Sequence, residues 1–283
     1  MTYCLGIMTR FGLVMASDSR TNAGYDQVNV CQKMYTFINP GERVFVLLAS
    51  GSLSCTQSVI TLLRRDFERS KGLASAPTLY DASRVIGEQV RKVAELDRAA
   101  LERDEYKFNV NIVLGGEVKG EPHGLFLVYP QGNPLQATED SPFLQIGETK
   151  YGRPILDRGI SYQHTPLEEA AKYALLSLDS TMKSNVTVGP PIDLLVYAAG
   201  ELDVTRQRRF LENDPDLSKI RTRWQQALRQ AVSRLPNIHL VSKPGPGAKD
   251  QSIEVVEDGG GNGSTDPAAT QMAQSPPPSS AKR

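Results

Sequence analysis

The most constraining feature of this sequence is its start, where two short, largely apolar runs, residues 3–9 and 13–17, are separated only by Arg10-Phe11-Gly12. So short a glycine-bearing link folds the two runs into an antiparallel hairpin, because glycine admits the positive φ that a tight turn needs. With Thr9 set opposite Leu13, Cys4 faces Asp18 and Thr2 faces Arg20. The hairpin therefore returns a carboxylate to within a residue or two of the head of the chain. Lys33 follows, at the head of a further β-rich run in CQKMYTFI.

The remaining elements are read in order. Residues 20–29 are polar and form a loop towards Lys33. Residues 33–38 and 44–49 are β-rich and divided by Asn39-Pro40-Gly41-Glu42, a turn signal. A helix starts after Ser50-Gly51-Ser52, capped by Ser52 or Ser54, with Val59, Leu62, Leu63 and Phe67 at helical spacing and Gly72 as its stop. Past Pro77 a longer helix covers about 81–102. Strands follow at 109–114 and 124–129, joined by a turn around Gly115-Gly116 and Gly120, and at 143–147. A helical segment opens at 147–152. Thr165-Pro166-Leu167-Glu168 spells a capping box with a first-position proline, and its helix runs to about Leu178. Residues 192–198 make a final core strand. This order predicts an α+β fold in which two antiparallel sheets stack face to face with helices outside.

An amphipathic helix at 216–235, with Ile220, Trp224, Leu228, Val232 and Leu235 on one stripe, is expected to pack on the same domain. The domain then spans 1–240. From about Ser242 the chain turns to Gly, Pro, Ser and Ala, including GGGNG and PPPSS, so 241–283 is expected to be a disordered tail.

Thr2 makes the start chemically distinctive. Initiator methionine is normally trimmed when the next side chain is small, and removal of Met1 exposes an α-amine beside the hydroxyl of the same residue. That amine has an unperturbed pKa of about 7.7–8.0, suited to a general base at neutral pH. A backbone amide cannot do this. An ammonium at Lys33 would stabilise the Thr2 oxyanion, and Asp18 would keep that ammonium charged and oriented. Burying such a couple costs desolvation energy, which suits a catalytic pair better than a stabilising one.

Thr2, the SDSRTNAG stretch with Asp18, the QKMY stretch with Lys33 and LLASGSLS with Gly51 resemble, in order and spacing, the site of proteasome β-type subunits. In particular the chain is similar to the Anbu-type proteasome-like peptidases, which start the same way without a propeptide. The resemblance implies the four-layer αββα sandwich of N-terminal nucleophile hydrolases, with the Gly51 N–H as oxyanion donor. It also implies a peptide or amide substrate and a homo-oligomer, a ring or an open helical assembly, with sites facing an interior. Two stretches depart from the family pattern. Gly147-Glu148-Thr149 stands where the family has Gly-Ser-Gly, and a glutamate near the amine favours its protonated form. Asp179 matches the aspartate of the supporting Asp-x-x-Ser-Gly, but Ser184-Asn185 comes two residues late.

Composition excludes other classes. Lys+Arg and Asp+Glu both number 32, so no basic field points to nucleic acid or to a membrane surface. No run approaches the roughly 20 apolar residues of a membrane span. The start lacks the basic and apolar regions of a signal peptide, which gives the expectation of a cytoplasmic protein. Cys4, Cys31 and Cys55 are scattered and read as buried thiols, Cys4 above all. With the three histidines widely separated, no metal site is expected. No cofactor is expected either, since Gly-x-x-x-x-Gly-Lys and Gly-x-Gly-x-x-Gly are absent. The Gly-x-Ser-x-Gly elbow of serine hydrolases is missing too. Three readings remain: an N-terminal-threonine peptidase, a small-molecule amidohydrolase of the same architecture, and a non-catalytic assembly protein. No motif encodes substrate preference, oligomer size or an unfoldase partner.

Overall fold

A computed structural model describes residues 2–22 and 28–239. Its strands are β1 (Tyr3–Thr9), β2 (Gly12–Asp18), β3 (Arg20–Asn22), β4 (Val28–Val30), β5 (Met34–Asn39), β6 (Arg43–Gly51), β7 (Val110–Val118), β8 (Gly124–Val128), β9 (Pro134–Gln136), β10 (Phe143–Gly147), β11 (Ile192–Ala198) and β12 (Arg206–Phe210). Its helices are α1 (Leu53–Glu68), α2 (Leu79–Arg103), α3 (Arg153–Gly159), α4 (Leu167–Ser184) and α5 (Pro215–Ser233). All of these belong to one compact unit ending at Arg234. The stretch 241–283, read from its composition as a tail, lies outside the described residues.

One five-stranded sheet runs β10-β1-β2-β11-β12 and a second runs β5-β6-β7-β8-β9, while β3 and β4 form a separate hairpin. Every strand pair is antiparallel. Alternation along the strands sorts the apolar side chains into three layers. Leu5, Ile7, Val14 and Ala16 meet α3, α4 and α5 on the outside of the first sheet. Phe45, Leu47, Ile112 and Leu114 meet α1 and α2 on the outside of the second. Met8, Leu13, Met15, Val46, Leu48, Val113 and Leu125 fill the space between the sheets. The order helix, sheet, sheet, helix is the expected four-layer αββα sandwich. Each fully buried Leu, Ile or Val contributes about 1.5–3 kcal/mol of transfer free energy, so the central layer holds the two sheets at a fixed separation.

Several expectations are corrected. Thr9 pairs with Gly12 and Cys4 with Ser17, one residue off the predicted register, because Arg10-Phe11 alone form the turn and Gly12 already belongs to β2. The loop expected at 20–29 contributes β3 and β4 at its ends. Gly115 and Gly116 lie inside β7, where a Cβ would collide with Met15 and with the Val44 backbone, so they mark close packing and the turn is left to Gly120. The first helix ends at Glu68, ahead of Gly72. The capping box does not form: Pro166 is the N-cap of α4, without a side-chain bond, while Thr165 Oγ1 accepts from Ser161 N at 2.9 Å. That helix also runs past Leu178 to Ser184. Strands β9 and β12 were not legible, being short or, in RQRRF, charged along an exposed edge. The stripe on α5 packs only at its start: Leu217 is buried and Trp224 partly so, but Leu228 and Val232 are exposed.

Candidate active site

β1 lies inside the first sheet with Thr2 at its head, and the strands on either side hold that residue in place. Tyr3 N donates to Asp18 Oδ1 at the end of β2 (3.0 Å), and Glu148 N, just past β10, donates to Thr2 O (2.7 Å). Gly147 makes the second contact possible. Its φ is +87°, and a Cβ there would collide with the Thr2 carbonyl oxygen. The Tyr3 ring locks the first turn of strand from below, its hydroxyl 2.6 Å from Ser177 Oγ of α4 and bonded also by Gln145.

Asp18 is fully buried and accepts three hydrogen bonds, from Tyr3 N, from Gly189 N (3.2 Å) and from Lys33 Nζ (2.7 Å). Lys33 is nearly as buried and also donates to Arg20 O (2.6 Å). Burial pushes the Asp18 carboxyl above the usual carboxylate range, while the Lys33 ammonium and the two backbone N–H groups pull the other way. An ammonium has three donors, and these two bonds leave one. Lys33 and Thr2 line the same small cavity of about 30 Å³, together with Ala49, Ser50, Gly51 and Cys31.

Gly51 ends β6 at φ +117°, where a Cβ would collide with Asn109 O. Its amide direction follows from its neighbours. Ala49 N donates to Lys33 O (2.9 Å) on the β5 side, and Ser52 N donates to Asn109 O (2.8 Å) on the β7 side. Alternation turns the Gly51 N–H back to the β5 side, past the start of β5 at the level of Cys31, on the cavity that Thr2 and Lys33 also line. On its other flank Thr2 borders a more open hollow of about 420 Å³ lined by Ser50, Gly51, Asn109, Asn111 and Gly147.

Thr2, Asp18, Lys33 and Gly51 are thus brought together, and three other sequence candidates behave differently. Asp179 is turned towards α5, where it pairs with Arg221. Ser184 is exposed at the last turn of α4. Glu148 touches Thr2 through its backbone N–H, but its carboxylate accepts from Asn185 Nδ2 (2.9 Å) and lies 3.6 Å from Lys150 Nζ. Gly189 was not singled out, and Gly147 only as the start of the run set against Gly-Ser-Gly, because a backbone contact carries no side-chain signal. Asn109 and Asn111 were also missed; their signal was two amides at a spacing of two around buried Val110.

Cys4 and Cys55 are buried and Cys31 is half-buried. Burial drives the Cys4 thiol far above its ordinary range, so it stays protonated. Among the described residues no group of three or more His, Cys, Asp or Glu side chains could hold a metal ion. Nor is any described helix long and apolar enough to cross a membrane.

The chain is 43% identical to the Anbu (Gly-1) mutant from Hyphomicrobium sp. strain MC1, covering 85% of this chain and 100% of that one, with a TM-score of 0.79. Anbu (ancestral beta-subunit) from Yersinia bercovieri is 41% identical over 85% of this chain and 100% of that one, TM-score 0.79. The chain in the helical assembly of the Anbu complex from Pseudomonas aeruginosa is 43% identical over 84% of this chain and 98% of that one, TM-score 0.79. The proteasome subunit beta of Haloferax volcanii is 24% identical over 209 residues, 74% of this chain and 78% of the relative. No family model matches.

Proposed function

The chain belongs to the Anbu (ancestral beta-subunit) family, and from that we propose that it is an N-terminal-threonine hydrolase of peptide amides, working in the cytoplasm as a homo-oligomer. The observation that carries the reading is the buried Lys33–Asp18 pair, at 2.7 Å, opening onto the cavity it shares with Thr2 and Gly51.

With Met1 removed, the Thr2 amine takes the proton from its own Oγ as that oxygen attacks the amide carbonyl carbon. The third donor of Lys33 stabilises the negative charge developing on Oγ, and the Gly51 N–H donates to the carbonyl oxygen as that oxygen becomes an anion. Collapse of the tetrahedral intermediate breaks the C–N bond. The proton held on the Thr2 amine passes to the leaving nitrogen, and an ester on Oγ remains. Water, deprotonated by the same amine, then attacks the ester; the acyl C–Oγ bond breaks, and the amine returns that proton to Oγ. Asp18 does not touch the substrate. It keeps Lys33 charged and fixes Tyr3 N, hence the position of Thr2. The Glu148 carboxylate, tied to Asn185 and Lys150, is already balanced by a donor and a cation, which leaves the amine free to act as base.

In this reading residues 1–240 carry the catalytic domain. The apolar face of α5, exposed at Leu228 and Val232, supports a contact with a further copy, as does the helical assembly of the Pseudomonas aeruginosa relative. The test is hydrolysis of a set of peptidyl-aminocoumarins by the full chain. Turnover that disappears in Thr2→Ala is expected. Turnover unchanged in Thr2→Ala sinks the proposal, and an oligomer with no amidase activity on any member of the set favours the assembly reading.

A further inference from the structure

The mouth of the sandwich carries two side chains that the mechanism does not use. Val113 is fully buried between the sheets, Asn111 is partly buried, and Asn109, just ahead of β7, is exposed. Alternate residues share a face, so one row runs from the dry central layer out to the Thr2 hollow and changes from a hydrocarbon to two carboxamides as it emerges. Ser50, which pairs with Asn111 across β6 and β7, continues the polar strip. Asn111 Nδ2 donates to Asn109 Oδ1 at 2.8 Å. Two carboxamides joined by one bond keep an NH₂ donor on one partner and a C=O acceptor on the other, whichever way each amide is turned. Apart from the Thr2 amine, no ionisable group lines this hollow of about 420 Å³.

A neighbouring donor and acceptor with no charge is the complement of one peptide unit. We infer that Asn109 and Asn111 form a subsite for a backbone amide of an extended peptide lying beside Thr2, which makes them specificity-determining residues that favour peptides over small amides. The inference rests on the reading of the Thr2 site as a peptide hydrolase. The two bonds are made to substrate atoms away from the scissile carbonyl. They therefore strengthen binding of extended substrates and leave the reacting group of a short one untouched.

The test uses the full chain with Thr2→Ala, which binds without turnover, and an uncharged fluorescein-labelled octapeptide followed by anisotropy. Adding Asn109→Ala and Asn111→Ala raises Kd about tenfold, the effect of two ordinary hydrogen bonds. Asn109→Leu with Asn111→Leu, which keeps the bulk, does the same. N-methylation walked along the peptide weakens binding at one position, and that dip vanishes in the double variant. An unchanged Kd, a methylation profile alike in both chains, or no measurable peptide binding at all overturns the inference. Labelling of Thr2 by a minimal peptide epoxyketone is followed separately, in the chain that retains Thr2 and both asparagines. If the Thr2 chain is never labelled while asparagine-dependent binding persists, the hydrolase reading fails and the subsite stands.

Discussion

Asp18–Lys33 and Asp179–Arg221 are the same pairing of charges set in two places. The first has side chains 0% and 7% exposed, and its carboxylate takes two backbone N–H groups besides the ammonium. The second has side chains 11% and 40% exposed and joins α4 to α5 through the guanidinium alone. Water reaches the second pair through the half-exposed Arg221, so breaking it costs less than breaking the first. The first is closed off from bulk solvent, and loss of either partner strands the other in a buried site. An ion pair built at that cost, with one ammonium donor left over and a nucleophile beside it, is organised for charge stabilisation during a reaction. The other fastens a helix.

The comparison breaks most visibly at Lys33. Lys33→Ala is expected to lose about 3–5 kcal/mol of stability by urea unfolding and at least about a hundredfold in turnover. Adding Asp18→Asn removes the stranded charge, so the double variant recovers much of the stability and none of the turnover. Recovery of both would make the pair structural only.

The pH dependence sharpens the same contrast. Burial holds the folded pKa of Asp18 above its unfolded value of about 3.9. The fold therefore keeps a proton that the unfolded chain has already released. Relative to Asp18→Asn, the stability of the unaltered chain is highest below the unfolded value, falls as pH rises through the folded value, and levels off beyond it. A difference that grows with pH would mean that Lys33 outweighs burial.

The smallest effects belong to the outer pair. Arg221→Ala should cost no more than about 1 kcal/mol, and Ser184→Ala about 0.5 kcal/mol or less, both with turnover within twofold of the unaltered chain. A tenfold fall in turnover for either would return Asp179 and Ser184 to the site.

Asp18 and Lys33 could be read from the sequence because their order and spacing after Thr2 resemble those of a known site, and because a hairpin brings distant positions together whatever its exact register. The register itself was one residue off, since both Arg10-Phe11 and Arg10-Phe11-Gly12 make acceptable links and only packing chooses. Asp179 and Ser184 were chosen by spacing alone; once α4 extends to Ser184, each direction is set by the helix, towards Arg221 and towards solvent. The layered fold was legible from alternation and helical spacing. The backbone donor at Gly189 and the tight contact at Gly147 were not, because they depend on where the main chain passes and on no side chain. β12 escaped because an exposed edge strand of arginines has no apolar alternation to betray it.

The central claim is that Thr2 becomes the first residue and acts as the nucleophile. Intact mass of the purified full chain before and after a peptide epoxyketone tests it directly. The account predicts a chain lighter by one methionine that gains one inhibitor mass, with no gain in Thr2→Ala. A chain that keeps Met1, or a Thr2→Ala variant that is still labelled, would contradict it.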